Sequence, residues 1–416
     1  MSLSSTRITR FLSSSLLAAA SACVITDGDQ SDTGGSDPGS TEADSTATSG
    51  VDTSTGQDQE SDSDTGDDPI VYGCGDVLPE TLSNTPREVD YVFTCSFTVL
   101  ETLIVEFGTV IEVDPGLEIS VDGGMLVLKG TAADPVVIRA SDPAQPWGGL
   151  RFFGPQTSRL DFARIETAGA LTPIGSAAIL VGAESFGEGH VSIRDCVIEG
   201  SQYYGIEVNL GVLEAFERNV LRENAIAAQL SVDTVGMLGS DTLFEANKSD
   251  SVVVVGLITP NVEPKTWNRL AGPYQILDNV TLGGTNTIEA GVTIVMDGTY
   301  ATLASGAGAI IAVGSAESPI EFVDRDDQIW NSVFLSTPGN RFEFVNFRGG
   351  SGAGNPFDQA GMVTLDANTE STVEIRDCVF EGSTGWGVWL GNSGFNDDID
   401  TANQFIDNAL GDIRFP

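Results

Sequence analysis

The stretch Ile193-Arg194-Asp195-Cys196-Val197-Ile198-Glu199-Gly200-Ser201 returns as Ile375-Arg376-Asp377-Cys378-Val379-Phe380-Glu381-Gly382-Ser383, 182 positions later. Each copy runs through an aromatic-Gly step into an alternating apolar stretch, Tyr204-Gly205-Ile206-Glu207-Val208 and Trp386-Gly387-Val388-Trp389-Leu390. The match extends further: Glu106-Phe107-Gly108 pairs with Glu289-Ala290-Gly291, Trp147 with Trp330, and Asn224-Ala225 with Asn408-Ala409, at offsets of 182 to 184. A unit of about 183 residues is therefore present twice with few gaps. Repetition on that scale constrains the fold more than any local propensity does.

The unit has its own inner rhythm. Short alternating segments such as Leu103-Ile104-Val105-Glu106, Val110-Ile111-Glu112-Val113, Leu117-Glu118-Ile119-Ser120-Val121, Met125-Leu126-Val127-Leu128 and Val136-Val137-Ile138-Arg139 are separated by turn signals, among them Asp114-Pro115-Gly116 and Asp122-Gly123-Gly124. No stretch sustains a 3.6-residue apolar period, so helix is expected to be minor. Phe216, Phe244 and Phe405 are each followed by an asparagine, Asn219, Asn247 and Asn408. This coil-scale recurrence, roughly every 20–28 residues, favours a solenoid over a pair of sandwiches. The asparagines are expected to stack at turns as an amide ladder.

A Gly-x-Val/Ile strand, then Gly130-Thr131-Ala132-Ala133-Asp134-Pro135 (matched by Gly314-Ser315-Ala316-Glu317-Ser318-Pro319), then Trp147-Gly148-Gly149-Leu150, resembles the secreted right-handed parallel β-helix proteins of the pectate-lyase-like superfamily. The resemblance covers residues 89–416. It implies an all-β, right-handed parallel β-helix solenoid in tandem duplication. It implies little about activity, because one fold hosts many functions. In such a coil Ile193, Cys196, Ile198, Ile206 and Val208 would point inward, as would Ile375, Cys378, Phe380, Val388 and Leu390. Arg194-Asp195 and Arg376-Asp377 would sit at a solvent-facing corner.

The chain ahead of the solenoid differs in kind. Arg7 and Arg10 precede a short Leu/Ala/Ser run that ends in Ala20-Ser21-Ala22 before Cys23. The run is too short to span a bilayer and reads as an export signal over residues 1–22. Small residues directly before a cysteine resemble a bacterial lipobox, with Ala20 where Leu is usual, which implies lipidation of Cys23. An ordinary secretory signal, with Cys23 incidental, is the other reading. Residues 23–69 form an acidic Ser/Thr/Asp/Gly segment, with 13 acids and no Lys or Arg from Val24 to Pro69. Such a composition cannot offset its ordering entropy, so a disordered tether is expected. Asp62-Ser63-Asp64-Thr65-Gly66-Asp67-Asp68 fails the EF-hand spacing, with Gly at the fifth position and Gly73 at the twelfth, where the closing Glu belongs. Solenoid units are assigned to residues 70–250 and 269–416. Residues 251–268, an apolar run followed by a Pro-containing loop, form the junction.

Charge and chemistry narrow the function. A net charge of −41 from 19 basic and 60 acidic residues disfavours nucleic acid and anionic lipid surfaces as partners. In an export compartment Cys74 and Cys95 are expected to form a disulfide, while Cys196 and Cys378, coils apart, cannot bond to each other. The single histidine, His190, lies in a Gly-rich turn without a nucleophile elbow. Relative to the superfamily's enzymes, the chain has Asp326-Asp327 and Asp397-Asp398 but lacks the Asn-Thr-Asp, Gly-His-Gly and Arg-Ile-Lys runs of polygalacturonases, and it lacks the pectate-lyase Arg-x-Pro-x-x-Arg run. Two acidic stretches remain as candidate glycan or calcium contacts. One is Trp389 with Asp397, Asp398 and Asp400, and the other is Asp326 and Asp327 near Trp330. A plain acidic loop is the competing reading for both. The expected function is a monomeric, envelope-anchored, surface-exposed lipoprotein with a non-catalytic binding or structural role in adhesion or glycan contact. A polysaccharide lyase or hydrolase with an unfamiliar site is the alternative, and an enzyme of that kind should gather acids and a Lys or Arg along one face.

Overall fold

The computed structural model describes residues 68–172, 175–256, 261–350 and 361–416. The export signal, Cys23 and nearly all of the acidic segment lie outside these residues. The described chain is almost wholly short β-strands, with one 3-10 turn at Val235–Met237. Every strand-to-strand pairing is parallel, and partners lie one coil apart in sequence, as in Val197↔Val220 and Ile206↔Ala228. The chain is a parallel β-helix solenoid.

Stacking of coils builds the core. Along one sheet the inward position is occupied in turn by Phe97, Ile119, Leu150, Ile179, Ile206, Ala228, Val252, Tyr274, Ile294, Phe322, Phe347, Phe380 and Phe405. No coil could bury this row alone, and its neighbours at the strand spacing of about 4.8 Å do so. Where the row becomes aromatic the rings stack nearly parallel, with Phe347 and Phe380 at 4.9 Å and Phe380 and Phe405 at 5.1 Å. The inward residues named from the repeat, Ile193, Cys196, Ile198, Ile206 and Val208 with Ile375, Cys378, Phe380, Val388 and Leu390, are all buried.

The recurring motif is a corner device. Asp195 and Asp377 adopt φ of 54° and 52° and turn the chain between two sheets, so the next residue, the cysteine, drops into the core. Gly200 and Gly382 make the following corner at φ 71° and 73°, a region that glycine enters without penalty. Burial pushes both thiols up to about 12. The Cys196 sulfur accepts from the Ala163 amide, and the thiols lie near the carbonyls of Arg194 and Arg376.

The asparagines tie coil to coil, but not as one row. Asn219 accepts from the Cys196 amide and donates to the Ile193 carbonyl. Asn224 does the same with Ser201 and Ile198 at the next corner, and Asn247 accepts from the Asn224 amide one coil on. Asn247 therefore stacks on Asn224 and not on Asn219. The two Phe-x-x-Asn segments of the first unit fall on different faces, because Phe216 lies in Val212–Glu217 and Phe244 in Leu243–Glu245 of another sheet.

One sheet, here termed the spanning sheet, crosses the junction without interruption: Ser249–Val255 pairs with Tyr274–Ile276, which pairs with Thr293–Met296. Its strands nevertheless change their place in the repeat. In the first unit Tyr204–Val208 belongs to the spanning sheet and Val197–Glu199 to a neighbouring sheet. In the second unit the copy of the latter, Val379–Glu381, is in the spanning sheet, and the copy of the former, Trp386–Leu390, has moved to another. The cause is local. A normal coil of the first unit puts two strands between successive spanning-sheet strands, as Val212–Glu217 and Val220–Arg222 show. Between Ser249–Val255 and Tyr274–Ile276 the described residues hold one strand, Lys265–Trp267. Lys265, almost fully buried, fixes the loop ahead of this strand. Its ammonium reaches Asp233 at 3.1 Å, the Asn261 side chain at 2.7 Å and the Glu263 carbonyl at 3.1 Å.

Candidate functional site

Because of this slip, equivalent outward positions of the two units lie on different sheets and can be compared directly. In the first unit the outward column reads Ser120, Arg151, Leu180, Glu207, Gln229. In the second it reads Ala304, Phe334, Thr364, Trp389, Arg414. Trp389 is held outward because its neighbours Val388 and Leu390 are buried on the inner side. The ring is half-buried and lies over the backbone of Gly391. Phe334 is likewise half-buried, Thr364 is buried between them and hydrogen-bonded to Ser332, and Arg414 is exposed at the end of the column. No ion pair is formed by Arg414 among the described residues.

The acids near Trp389 in sequence are placed on the adjacent sheet. Phe395 bridges to Val373, and the Asn396 side chain accepts from the Ile375 amide, so the loop lies along Val373–Arg376. Asp398 is bonded to Arg376 and to Asn396 at 2.8 Å, and these two bonds hold its carboxyl below the usual range. Asp397 and Asp400 are exposed. Nothing in the described contacts joins these three to Trp389. Asp326 and Asp327 are exposed at a turn with φ of 52° and 58°, and neighbouring Arg325 is drawn away to Asp297 at 2.7 Å. Trp330 is fully buried, its indole donating to the Arg348 carbonyl at 2.8 Å, and its repeat partner Trp147 does the same to Glu166 at 3.0 Å. That pair is a core feature, so Trp330 offers no outward ring beside Asp326 and Asp327. Among the described residues no three His, Cys, Asp or Glu side chains are placed to hold one metal ion.

Cys74 and Cys95 are joined, with Cα atoms 5.2 Å apart, at the start of the first coils. His190 packs beside Glu214, its Nδ1 at 3.0 Å from a carboxylate oxygen, in register with Thr157 of the coil before.

Two charged assemblies were not anticipated. On one sheet of the first unit Glu112, Arg139, Glu166, Glu199, Arg222 and Glu245 occupy a single outward column. Arg139 holds Glu112 at 2.9 Å, Arg164 reaches Glu166 at 2.9 Å and Glu199 at 2.7 Å, and Arg222 binds the other Glu199 oxygen. Burial raises the Glu166 carboxyl, with the adjacent Glu199 adding to it. Burial pushes Glu199 upward too, but hydrogen bonds from Arg222 and Arg164 outweigh it and hold that group below its ordinary range. The signal was present in sequence as Val-Ile-Glu, Val-Ile-Arg, Arg-Ile-Glu, Val-Ile-Glu, Val-Leu-Arg and Leu-Phe-Glu, one triplet per coil. The second assembly is Arg151, fully buried on the outer side of the spanning sheet. It bonds to Glu118 at 3.0 Å and to the carbonyls of Ala177 at 2.8 Å and Gly148 at 2.6 Å. Burial lowers its basicity, against the opposing pull of Glu118 and Glu207.

The two assemblies hold successive coils together through arginine–carboxylate pairs. Both Glu199 oxygens are occupied by arginine, and the column lies on an open sheet outside the described cavities. The half-buried Trp389 is the better-formed contact surface. Comparison of the chain with protein-family models, with curated proteins and with solved structures returns no match.

Proposed function

We propose that the protein is a non-catalytic binding module, displayed at the cell envelope through a lipid on Cys23, and that the second unit contacts a neutral glycan through Trp389. The observation that carries this reading is the outward Phe334–Trp389–Arg414 column, where the first unit has Arg151, Glu207 and Gln229. A sugar ring stacks on an indole face through its C–H groups, and a nearby guanidinium donates to hydroxyls. An uncharged glycan also avoids the repulsion that a chain of −41 would impose on a polyanion. The test is a glycan array with the wild-type protein and Trp389→Ala, with and without calcium. Weakening of every positive spot by about tenfold is expected in the variant, and unchanged spots would remove Trp389 from the reading. Anchoring is tested separately, by membrane partitioning of Cys23→Ser, which should become soluble.

A second reading is carried by Glu166 and Glu199, register neighbours on one sheet whose carboxyls are shifted in opposite directions. It makes the first unit a polysaccharide lyase or hydrolase. Release of reducing or unsaturated ends from a polysaccharide panel, abolished in Glu166→Gln, would favour it over the binding role.

A further inference from the structure

Among the described residues the first coil of the solenoid lacks one side. Ile70–Tyr72 covers the end of one sheet by pairing with Tyr91–Phe93, and Thr81–Leu82 covers a second by pairing with Ile104 and Val105. Between them the chain should lay a strand over the spanning sheet. Residues 73–80 instead run as a loop, pinned by the Cys74–Cys95 bond. Phe97–Val99 is consequently the first strand of the spanning sheet among the described residues. Its one strand partner among the described residues is Glu118–Asp122, with Phe97 beside Ile119 and Thr98 beside Ser120.

The largest described cavity, about 820 Å³, opens between the loop and this strand edge and continues past Gly123, Gly124, Met125 and Gln156 of the next coils. Its floor is the outer edge of Phe97–Leu103, and its far wall is Asp76–Glu80. An uncovered strand edge presents a row of backbone donors and acceptors that another strand can satisfy. The slot has an apolar side, where Val77 is 88% and Leu100 67% exposed. It also has an acidic side, with Asp76, Glu80 and Glu101 exposed and no Lys or Arg among the lining residues. Exposed apolar side chains facing a vacant strand position are a cost in water that an incoming strand would remove.

We propose that this slot accepts an extended peptide of a partner protein as the missing strand of the first coil. The peptide adds to the Phe97–Val99 edge, sets an apolar residue against Val77 and Leu100, and places Lys or Arg beside Glu80 and Glu101. Backbone pairing supplies the affinity and the alternating side chains the choice of sequence, the mode known as strand addition. The chain's own acidic segment is the wrong occupant, because its 13 carboxylates would meet Asp76, Glu80 and Glu101.

The test uses the full-length protein and a fluorescein-labelled hexapeptide of alternating lysine and valine, read by anisotropy and by amide hydrogen exchange. Binding is expected, with new protection at Phe97–Val99. The Glu80→Lys/Glu101→Lys variant should bind about tenfold more weakly. The Asp397→Lys/Asp400→Lys variant, with the same change in net charge, should bind like wild type. Equal weakening in the two variants would reduce the effect to bulk charge and overturn the proposal. Binding without protection at Phe97–Val99 would overturn it as well. So would protection of those amides in the peptide-free protein, which would mean that the chain itself or a second copy already fills the slot.

Discussion

The two units share a backbone plan but use the same outward face differently. In the first, Arg151 is buried on that face and tied to Glu118 and three carbonyls, and Glu207 and Gln229 continue the column. In the second, the matching places hold Phe334, Trp389 and Arg414. The fold therefore does not require charge or aromaticity there, since the inward residues and the corners are kept in both units. An outer face that is free to vary is where duplicated units can acquire different contacts. The ionic column on the neighbouring face makes the same point: Glu112, Arg139, Glu166, Glu199 and Arg222 in the first unit correspond to Val295, Val323, Arg348, Glu381 and Ile406 in the second.

The comparison can be broken most forcefully at Arg151. Arg151→Ala leaves Glu118 without its buried partner and three carbonyls without a donor, and should cost about 3–5 kcal/mol in chemical denaturation. Phe334→Ala at the matching place, half-buried and without a polar partner to strand, should cost clearly less. Equal losses would mean that the two faces do the same structural job. Next in size, Trp389→Ala should weaken glycan binding about tenfold, while Glu207→Ala should leave it unchanged. A smaller effect is expected from Glu166→Gln. A carboxyl whose folded pKa is raised favours the native state below its unfolded pKa, and that contribution is lost as pH rises through the folded value. The variant should therefore gain melting temperature over wild type near pH 7, and the gap should close below about pH 4. For Glu199, held low, the opposite holds: its contribution is present above its unfolded pKa and disappears as pH falls, so Glu199→Gln should lose most at neutral pH. The smallest response is expected from the repeated cysteines. With both thiols buried and pushed up to about 12, iodoacetamide should label neither Cys196 nor Cys378 until the chain unfolds.

The solenoid was legible because its determinants are periodic and local: alternation sets each strand, and the repeat of Arg-Asp-Cys sets the corner. The inward residues followed from that, Cys196 and Cys378 included. What lay beyond reading were relations between coils. Sequence proximity suggested that Trp330 stood beside Asp326 and Asp327, yet the turn at those aspartates sends the indole into the core, where the Arg348 carbonyl satisfies it. Trp389 and Asp398 are also close in sequence, but a corner separates them and Arg376 claims the acid. The charged column was spread one residue per coil, so it became visible only once the coil length was fixed. The junction read as a loop and gave no sign that a strand position was missing.

That omitted strand has a consequence for how the molecule meets its surroundings. A polymer lying along the spanning sheet passes Arg151, Leu180, Glu207 and Gln229, and then Val295, Val323, Arg348 and Glu381. It never reaches Trp389, which looks out from another side. Doubling the unit has thus given the rod two fronts with distinct headings in place of one long uniform track. The outward residues of the two halves therefore face two different directions.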